Sequence, residues 1–460
     1  MRVVEEGAFS NLALRTALRE SSMERRDRAF ATRLTYGTLT WLGYIDAVLN
    51  AMLPKGLHSL PPEVASHMRI AMYQLLIDRE HTPVHAAIDE CVELVGNIEP
   101  NLRGLTNGVL RNFERGREDI LEQVRERNPI EVELSLSPAV ANELKRRVSE
   151  ERANAIMARW NAATPVVVRA RDGNRDALAE LLTEEEGVIC EPHAVAPDAL
   201  VFQGDIRSVI QLSPRASVQD AGAQIVAYTL PPDLDGAVVD VCAGLGGKSL
   251  HLLDQLPDAS LVACDLDKRK LARIPVPEDE SRLVCIPGDM TAYEGAEAVA
   301  LHAAAQGLHQ GYSAIVIDAP CSALGTLGRH PEVRWRRTHD DVASLSRVQR
   351  NLLKTMAPLV RPGGYLVYVV CTFTEAETLT QVDRFLQAHP DFKLAPPTVE
   401  DADPRVDWDS LVDESQTISL WPEPHNTDGF FIARFQKSSE GLLDALGIED
   451  DDFDSEEDED

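Results

Sequence analysis

Apolar residues recur at three- and four-residue spacing through the first quarter of the chain. Leu12, Leu14, Ala17 and Leu18 open the pattern, and 28–41, 64–77, 84–95 and 102–113 continue it. That period gives each segment one apolar stripe to bury, so residues 7 to about 125 predict an all-helical bundle. Breaks fall at Pro54-Lys55-Gly56, Pro61-Pro62 and Pro100, and no strand-like alternation intrudes.

Past Asn128-Pro129 the pattern mixes. Residues 138–150 read as an amphipathic helix with Lys145, Arg146 and Arg147 on it, 166–171 as a strand and 176–182 as a helix, which together predict a small α+β module. From about 216 the pattern becomes strand–helix alternation, with strands at 237–242, 261–264, 282–286, 313–319 and 365–371 and helices that include 341–359 and 375–388. Such alternation predicts a parallel, doubly wound sheet. The last apolar run, 429–435, predicts a late strand in the edge region of that sheet. The expected organisation is therefore multidomain: 1–127 all-α, 128–215 small α+β, 216–437 α/β, and 438–460 an acidic tail.

Composition narrows the possibilities. At 460 residues one core is not enough. No run of about 18 apolar residues is present, so no transmembrane helix is expected. Met1-Arg2-Val3-Val4-Glu5-Glu6 lacks the basic-then-apolar layout of a signal peptide, and a cytoplasmic location is expected. The seven cysteines are an odd number without C-x-x-C spacing, which argues against a disulfide framework and against a zinc or other metal site. Cys91, Cys190, Cys264 and Cys285 read as buried, inert thiols. A formal charge of −30 argues against indiscriminate affinity for nucleic acid. Ten of its acidic residues lie in the twelve from Glu449 to Asp460, which read as a disordered, self-repelling tail. Acid-rich, lysine-poor composition suggests a high-salt cytoplasm.

Two cysteines differ from the rest. Cys321, in Asp318-Ala319-Pro320-Cys321-Ser322, and Cys371, in Val369-Val370-Cys371-Thr372, each close an apolar run. The carboxyl ends of strands carry the ligand site in an open α/β sheet, so both thiols should meet over one substrate. One thiol can attack a ring carbon once ionised, and the other can help release the product. A buried small hydrophobe remains the default for either cysteine alone. Upstream, Cys242-Ala243-Gly244-Leu245-Gly246-Gly247-Lys248 follows a strand and opens a helix, and Asp265 ends the next strand. A glycine turn with a spaced acid suits an adenosine-containing ligand, the acid accepting from ribose hydroxyls. The loop is not a Walker A motif, because the first glycine that the motif requires is missing. Asp289 follows the third strand, where it would face an adenine edge or sit in an ordinary turn. Arg329, Arg334 and Trp335 suit phosphate contact and base stacking, and with Arg336 and Arg337 could line a basic groove. His330 reads as a loop histidine rather than a ligand.

At these residues the chain resembles the RsmB (Fmu/Sun) family of bacterial 16S ribosomal RNA cytosine-C5 methyltransferases. The resemblance rests on Tyr36-Gly37-Thr38-Leu39, Tyr73-Gln74-Leu75-Leu76, Val84-His85-Ala86-Ala87 and Asn107-Gly108-Val109-Leu110-Arg111 in the N-terminal part. Farther on it rests on Val218–Gln224, Asp318–Ser322, Arg329-His330-Pro331 and Asp428-Gly429-Phe430-Phe431. It implies an N-terminal NusB-like RNA-binding domain, the middle module, and a C-terminal Rossmann-like S-adenosylmethionine-dependent methyltransferase. By the same resemblance, Cys242 to Lys248, Asp265, Asp289 and Asp318 hold S-adenosylmethionine. Asp318 also lines the target-base site, Cys371 is the covalent nucleophile and Cys321 assists release. The implied partner is 16S rRNA or a small-subunit assembly intermediate, bound by a monomer without metal or membrane. The chain departs from the family pattern at Leu245, where proline is usual, and at Thr372, where serine is common. Its 268–282 segment is also short. A 5-methylcytosine transferase for another rRNA site or tRNA is the nearest alternative, and a non-catalytic RNA-binding assembly factor is one of another class. A dinucleotide oxidoreductase is disfavoured because the loop lacks G-x-G-x-x-G.

Overall fold

The computed structural model describes residues 2–127, 129–186, 189–203, 215–276, 280–308 and 310–439. Nearly all of the expected acidic tail lies outside the described residues. The chain divides into two compact units, Met1–Thr164 with Thr326–Arg337, and Pro165–Gly325 with the chain from Thr338 onward.

The first unit is helical. Its main helices are Ser10–Glu20, Arg25–Thr40, Leu42–Met52, Pro62–Leu76, Val84–Ile98, Arg103–Arg115 and Arg117–Arg127. Pro62 takes the first helical position, where its missing N–H costs nothing. The apolar stripes meet in one core through Ile45, Val48, Met68, Leu75, Val95, Leu110 and Phe113, all fully buried. Gly37 lets the Arg25–Thr40 helix approach the next layer, since a Cβ there would stand 2.2 Å from the Tyr73 ring.

Thr326–Arg337 belongs to this unit although it follows the Cys321 loop in sequence. Arg334 is 1% exposed and donates to the carbonyls of Thr40 (3.1 Å), Trp160 (2.8 Å) and Leu327 (3.3 Å), and to Asn161 Oδ1. Burial pushes its pKa down to about 9. Arg336 donates to the carbonyls of Val3, Gly7 and Ala8, and the Trp335 ring lies against Gly43. The expectation that Arg334, Trp335 and Arg336 face RNA is therefore corrected. The terminal guanidinium nitrogens of both arginines are spent within their own unit, mostly on backbone carbonyls that need partners, and the Trp335 ring packs there too.

The second unit holds two sheets. Strands β1 (Val166–Ala170), β2 (Ile189–Pro192), β3 (Ala199–Gln203) and β4 (Ala216–Val218) form a small antiparallel sheet in the order β2-β3-β1-β4. Leu178 and Leu182 of helix Arg175–Glu186 pack on Val168, Leu200 and Phe202 of that sheet.

The larger sheet has eight strands: β5 (Gly236–Val241), β6 (Ala259–Asp265), β7 (Leu283–Pro287), β8 (Tyr312–Asp318), β9 (Val360–Val370), β10 (Phe392–Leu394), β11 (Ile418–Leu420) and β12 (Phe430–Lys437). The order is β10-β12-β9-β8-β5-β6-β7, with β11 also on β12. Strands β5 to β9 run parallel, while β10, β11 and β12 pair antiparallel, so the sheet is mixed. β12 was expected in the edge region and lies there, second in the order, with β9 on one side and the three-residue strands β10 and β11 on the other. Six of its eight residues are buried, as a strand covered on both faces requires.

Two of the four thiols read as buried are not. Cys91 and Cys264 are buried, but Cys190 is half-buried and Cys285 is exposed, because Cys285 lies on the edge strand β7. The chain winds outward from β5 through β6 to β7 and then returns to β8 and β9 on the other side. That reversal is a topological switch point, and ligands of open α/β sheets bind outside the strand ends there.

Candidate active site

The loop after β5 has three residues in the left-handed region: Cys242 (φ 66°), Gly244 (φ 61°) and Gly246 (φ 81°). Gly246 is required twice over, by its φ and by Ile274, which a Cβ would meet at 2.6 Å. Gly247, by contrast, has nothing within 4 Å of a Cβ position, which leaves open space at the start of helix Gly247–Gln255. Two bonds pin the loop to β6: Ala243 N donates to Cys264 O at 2.8 Å, and Gly244 N to Asp265 Oδ2 at 2.9 Å. Beneath it Ser249 Oγ donates to fully buried Asp240 at 2.5 Å. Burial pushes the Asp240 carboxyl up to about 7.

Asp265 is the last residue of β6 and also accepts from Asp267 N at 2.8 Å. Leu245 and Leu266 stand 52% and 75% exposed beside it. Asp289, just past β7, accepts from Thr291 N (2.9 Å) and Thr291 Oγ1 (2.6 Å). No hydrogen bond joins it to the glycine loop among the described residues, so its turn role is visible and a ligand role is not.

Across the switch point, Lys248 Nζ lies 2.7 Å from Asp318 Oδ2 at the end of β8. Burial would lower the Lys248 pKa, but the charge and hydrogen bond of Asp318, with the charges of Cys371 and Asp240, raise it. Its Nζ stands 5.6 Å from the Phe430 ring centroid. The ammonium thus ties the helix that follows the glycine loop to the end of β8.

Cys321 Sγ and Cys371 Sγ are 3.3 Å apart, within hydrogen-bond reach for sulfur. Parallel pairing sets this up: β8 and β9 are neighbours in register from Ala314/Tyr365 to Asp318/Val369, and both loops leave the same end. Gly325 N donates to Cys371 O at 2.9 Å, and Gly429 N to Gly325 O at 2.8 Å, so three loops share one backbone ladder. The hydrogen bond from Cys371, burial, and the charges of Cys371 and Glu377 push the Cys321 thiol well above its ordinary range. The two sulfurs are thus close enough to share a hydrogen bond and to reach one small ligand.

The sequence pointed to the thiols, the loop, Asp265 and Asp318. It did not point to Glu377, fully buried behind the two cysteines, or to Ser322 and Thr372, whose hydroxyls meet at 2.7 Å. Among the described residues no group of three or more His, Cys, Asp or Glu is placed to hold a metal, and no helix is long and apolar enough to cross a membrane.

Residues 227–436 match the family model described as 16S rRNA methyltransferase RsmB/F, and residues 1–115 match the NusB family. The ribosomal RNA small subunit methyltransferase B of Vibrio cholerae serotype O1 is 33% identical over 402 residues, covering 85% of this chain and 88% of that protein. Its counterpart from Erwinia tasmaniensis is 30% identical over 443 residues, covering 95% and 96%. The crystal structure of PH0851 superposes with a TM-score of 0.70 at 22% identity, covering 92% of this chain and 93% of that one, a likeness of fold. The chain belongs to the 16S rRNA methyltransferase RsmB/F family, with a NusB-family region at its N-terminus.

Proposed function

We propose that this protein methylates C5 of a cytosine in 16S rRNA, with S-adenosylmethionine as donor and Cys371 as a transient covalent nucleophile. The observation that carries the reading is the thiol pair, two sulfurs 3.3 Å apart at neighbouring strand ends. The residues fit the cofactor. The open space at Gly247 leaves the first N–H groups of the helix free to approach a carboxylate. Asp265 retains lone pairs for ribose hydroxyls, and the exposed Leu245 and Leu266 offer apolar cover for a purine. Asp289 is assigned to the adenine side by family resemblance. When bound, S-adenosylmethionine supplies an electrophilic methyl group.

Cytosine C5 is too weak a nucleophile to take that methyl unaided. Attack of the Cys371 thiolate on C6 forms a C–S bond and moves the ring electrons toward N3, leaving an enamine whose C5 is nucleophilic. Asp318 would accept from the exocyclic amine and, in its acid form, donate to N3, which stabilises that charge shift, while Lys248 orients the carboxyl. After C5 is methylated its proton must leave. Cys321, having given its own proton to solvent, would take it in thiolate form as the C6–S bond breaks and its electron pair returns to Cys371. Bonding of Cys371 to C6 removes the hydrogen bond and charge that keep Cys321 protonated, which favours that form at the step that needs it. The cytosine must be unpaired or flipped out to reach the thiols, at a cost of a few kcal/mol in a duplex.

The test is transfer of labelled methyl from S-adenosylmethionine to unmethylated 16S rRNA, with bisulfite mapping. One modified cytosine is expected. Cys371→Ala should lower transfer by more than about a thousandfold while cofactor binding persists, and Cys321→Ala should accumulate a protein–RNA adduct. Substantial turnover by Cys371→Ala, or an adduct that needs Cys321 but not Cys371, would overturn the assignment. Transfer to tRNA or another rRNA instead would change the substrate and keep the chemistry.

A further inference from the structure

Behind the two cysteines lies a carboxylate with five donors. Glu377 follows the Cys371 turn and is 0% exposed. Its Oε1 accepts from Ser322 N at 2.8 Å and Gln349 Nε2 at 3.0 Å. Its Oε2 accepts from the hydroxyls of Ser322 (2.6 Å), Thr374 (2.8 Å) and Thr372 (3.3 Å). Among the described residues no cation pairs with it.

The identity of the donors gives the cluster its meaning. Ser322 directly follows Cys321, and Thr372 directly follows Cys371. Gln349, which bonds Oε1, also donates to the carbonyl of Pro320 at 2.9 Å, so the residues on both sides of Cys321 are tied to one carboxylate. The Glu377 backbone is fixed in turn, its carbonyl accepting from Tyr368 OH of β9 at 2.7 Å. A buried carboxylate is costly unless it is fully hydrogen-bonded, and a fully hydrogen-bonded one is a stiff joint between the elements that supply the donors.

We propose that Glu377 is the positioning residue of the thiol pair: it clamps the Cys321 loop to the Cys371 loop and so sets the distance between the two sulfurs. It touches no reacting atom. The role rests on the reading that both thiols serve one cytosine. The clamp acts on the step that needs both sulfurs, release of the methylated base, and hardly on RNA binding. Its charge also opposes ionisation of Cys321, consistent with the raised pKa of that thiol.

The experiment uses the full chain with Glu377→Ala, Glu377→Gln and, in case the alanine variant does not fold, Ser322→Ala/Thr374→Val. The first readout needs no RNA: residue-resolved alkylation by iodoacetamide as a function of pH. Removing the carboxylate should move the onset of Cys321 alkylation down by about one pH unit. The second readout is turnover. Glu377→Ala, or the double variant, should lower kcat at least tenfold, leave KM for RNA within twofold and accumulate adduct as Cys321→Ala does. Glu377→Gln preserves shape and most hydrogen bonds, and should recover a large part of kcat. An unmoved alkylation profile together with kcat within twofold of wild type would overturn the clamp. So would a loss confined to KM without adduct. Absence of cysteine-dependent transfer in the wild type would count against the proposed reaction alone, since the alkylation profile still decides the role of Glu377.

Discussion

A carboxylate at the base of the glycine loop carries a pH dependence that can be worked out in sign. Asp240 is fully buried on β5, and burial raises it from an ordinary 3.8 to about 7 despite the hydrogen bond from Ser249. Because the folded value is raised, the folded state holds the proton more tightly. Stability is fully present below pH 3.8 and falls as pH rises through about 7, where the buried group ionises. A shift of this size corresponds to roughly 4 kcal/mol, at 1.36 kcal/mol per unit. Asp240→Asn removes the titration. Its unfolding free energy relative to wild type should therefore rise between about pH 4 and pH 7 and level off above, as read by urea denaturation at stepped pH. A constant difference over that window would show that Asp240 does not titrate there. The same residue marks a limit of sequence reading. Asp240 is one acid in an apolar strand, with nothing nearby to separate it from Asp265, whose position at a strand end signalled a ligand. Cys321 and Cys371 were legible because their residue type carries chemistry and their strand ends carry location. Glu377 was not, since its partners Ser322 and Gln349 lie 55 and 28 residues away and no spacing rule links them.

Among the elements, the loops hold tighter constraints than the strands. Gly325 sits where the Cys321 loop crosses the loops after β9 and before β12. A Cβ there would stand 2.1 Å from Gly429 O and 2.9 Å from Cys371 O, both backbone atoms that cannot rotate away. Gly325→Ala should therefore part the three loops, at a cost of about 1–3 kcal/mol typical of overpacking. Methyl transfer should fall at least tenfold while binding of S-adenosylmethionine, which we place mainly at the glycine loop, stays near wild type. Equilibrium binding alongside turnover checks both halves. The parallel strands were legible from their apolar runs, and the helices of the first unit from their period. So was the edge-region place of β12, but its antiparallel partners β9, β10 and β11 were not, because pairing across the sheet rather than order in the chain sets them. Arg334 failed for a related reason. As sequence it is a cation near a tryptophan, the usual dress of an RNA contact. Its acceptors lie 294 and 174 residues upstream, at Thr40 and Trp160, and only the folded chain brings them to it.

At the scale of the molecule the formal charge of −30 matters most, and it is spread beyond one segment. Glu449–Asp460 holds ten acidic residues and no basic one, leaving −20 on the rest of the chain. Self-repulsion of that size destabilises a compact state, and salt relieves it as the Debye length falls from about 10 Å at 0.1 M to about 3 Å at 1 M. Some of the basic side chains are moreover spent on neutral partners, Arg334 and Arg336 on carbonyls. The melting temperature should therefore rise by several degrees between 0.1 M and 1 M KCl. A chain ending at Gly447 should keep most of that rise, because most of the charge remains. Loss of the salt response on truncation would place the repulsion in the final segment, and no response in either protein would mean that the surface charges lie too far apart to repel. The same salt series run on RNA binding separates two effects. Screening weakens contacts between basic groups and phosphate but also relieves repulsion between the acidic surface and the RNA backbone. A binding constant that falls less steeply with salt than ordinary RNA-binding proteins show is the expected outcome for so acidic a chain.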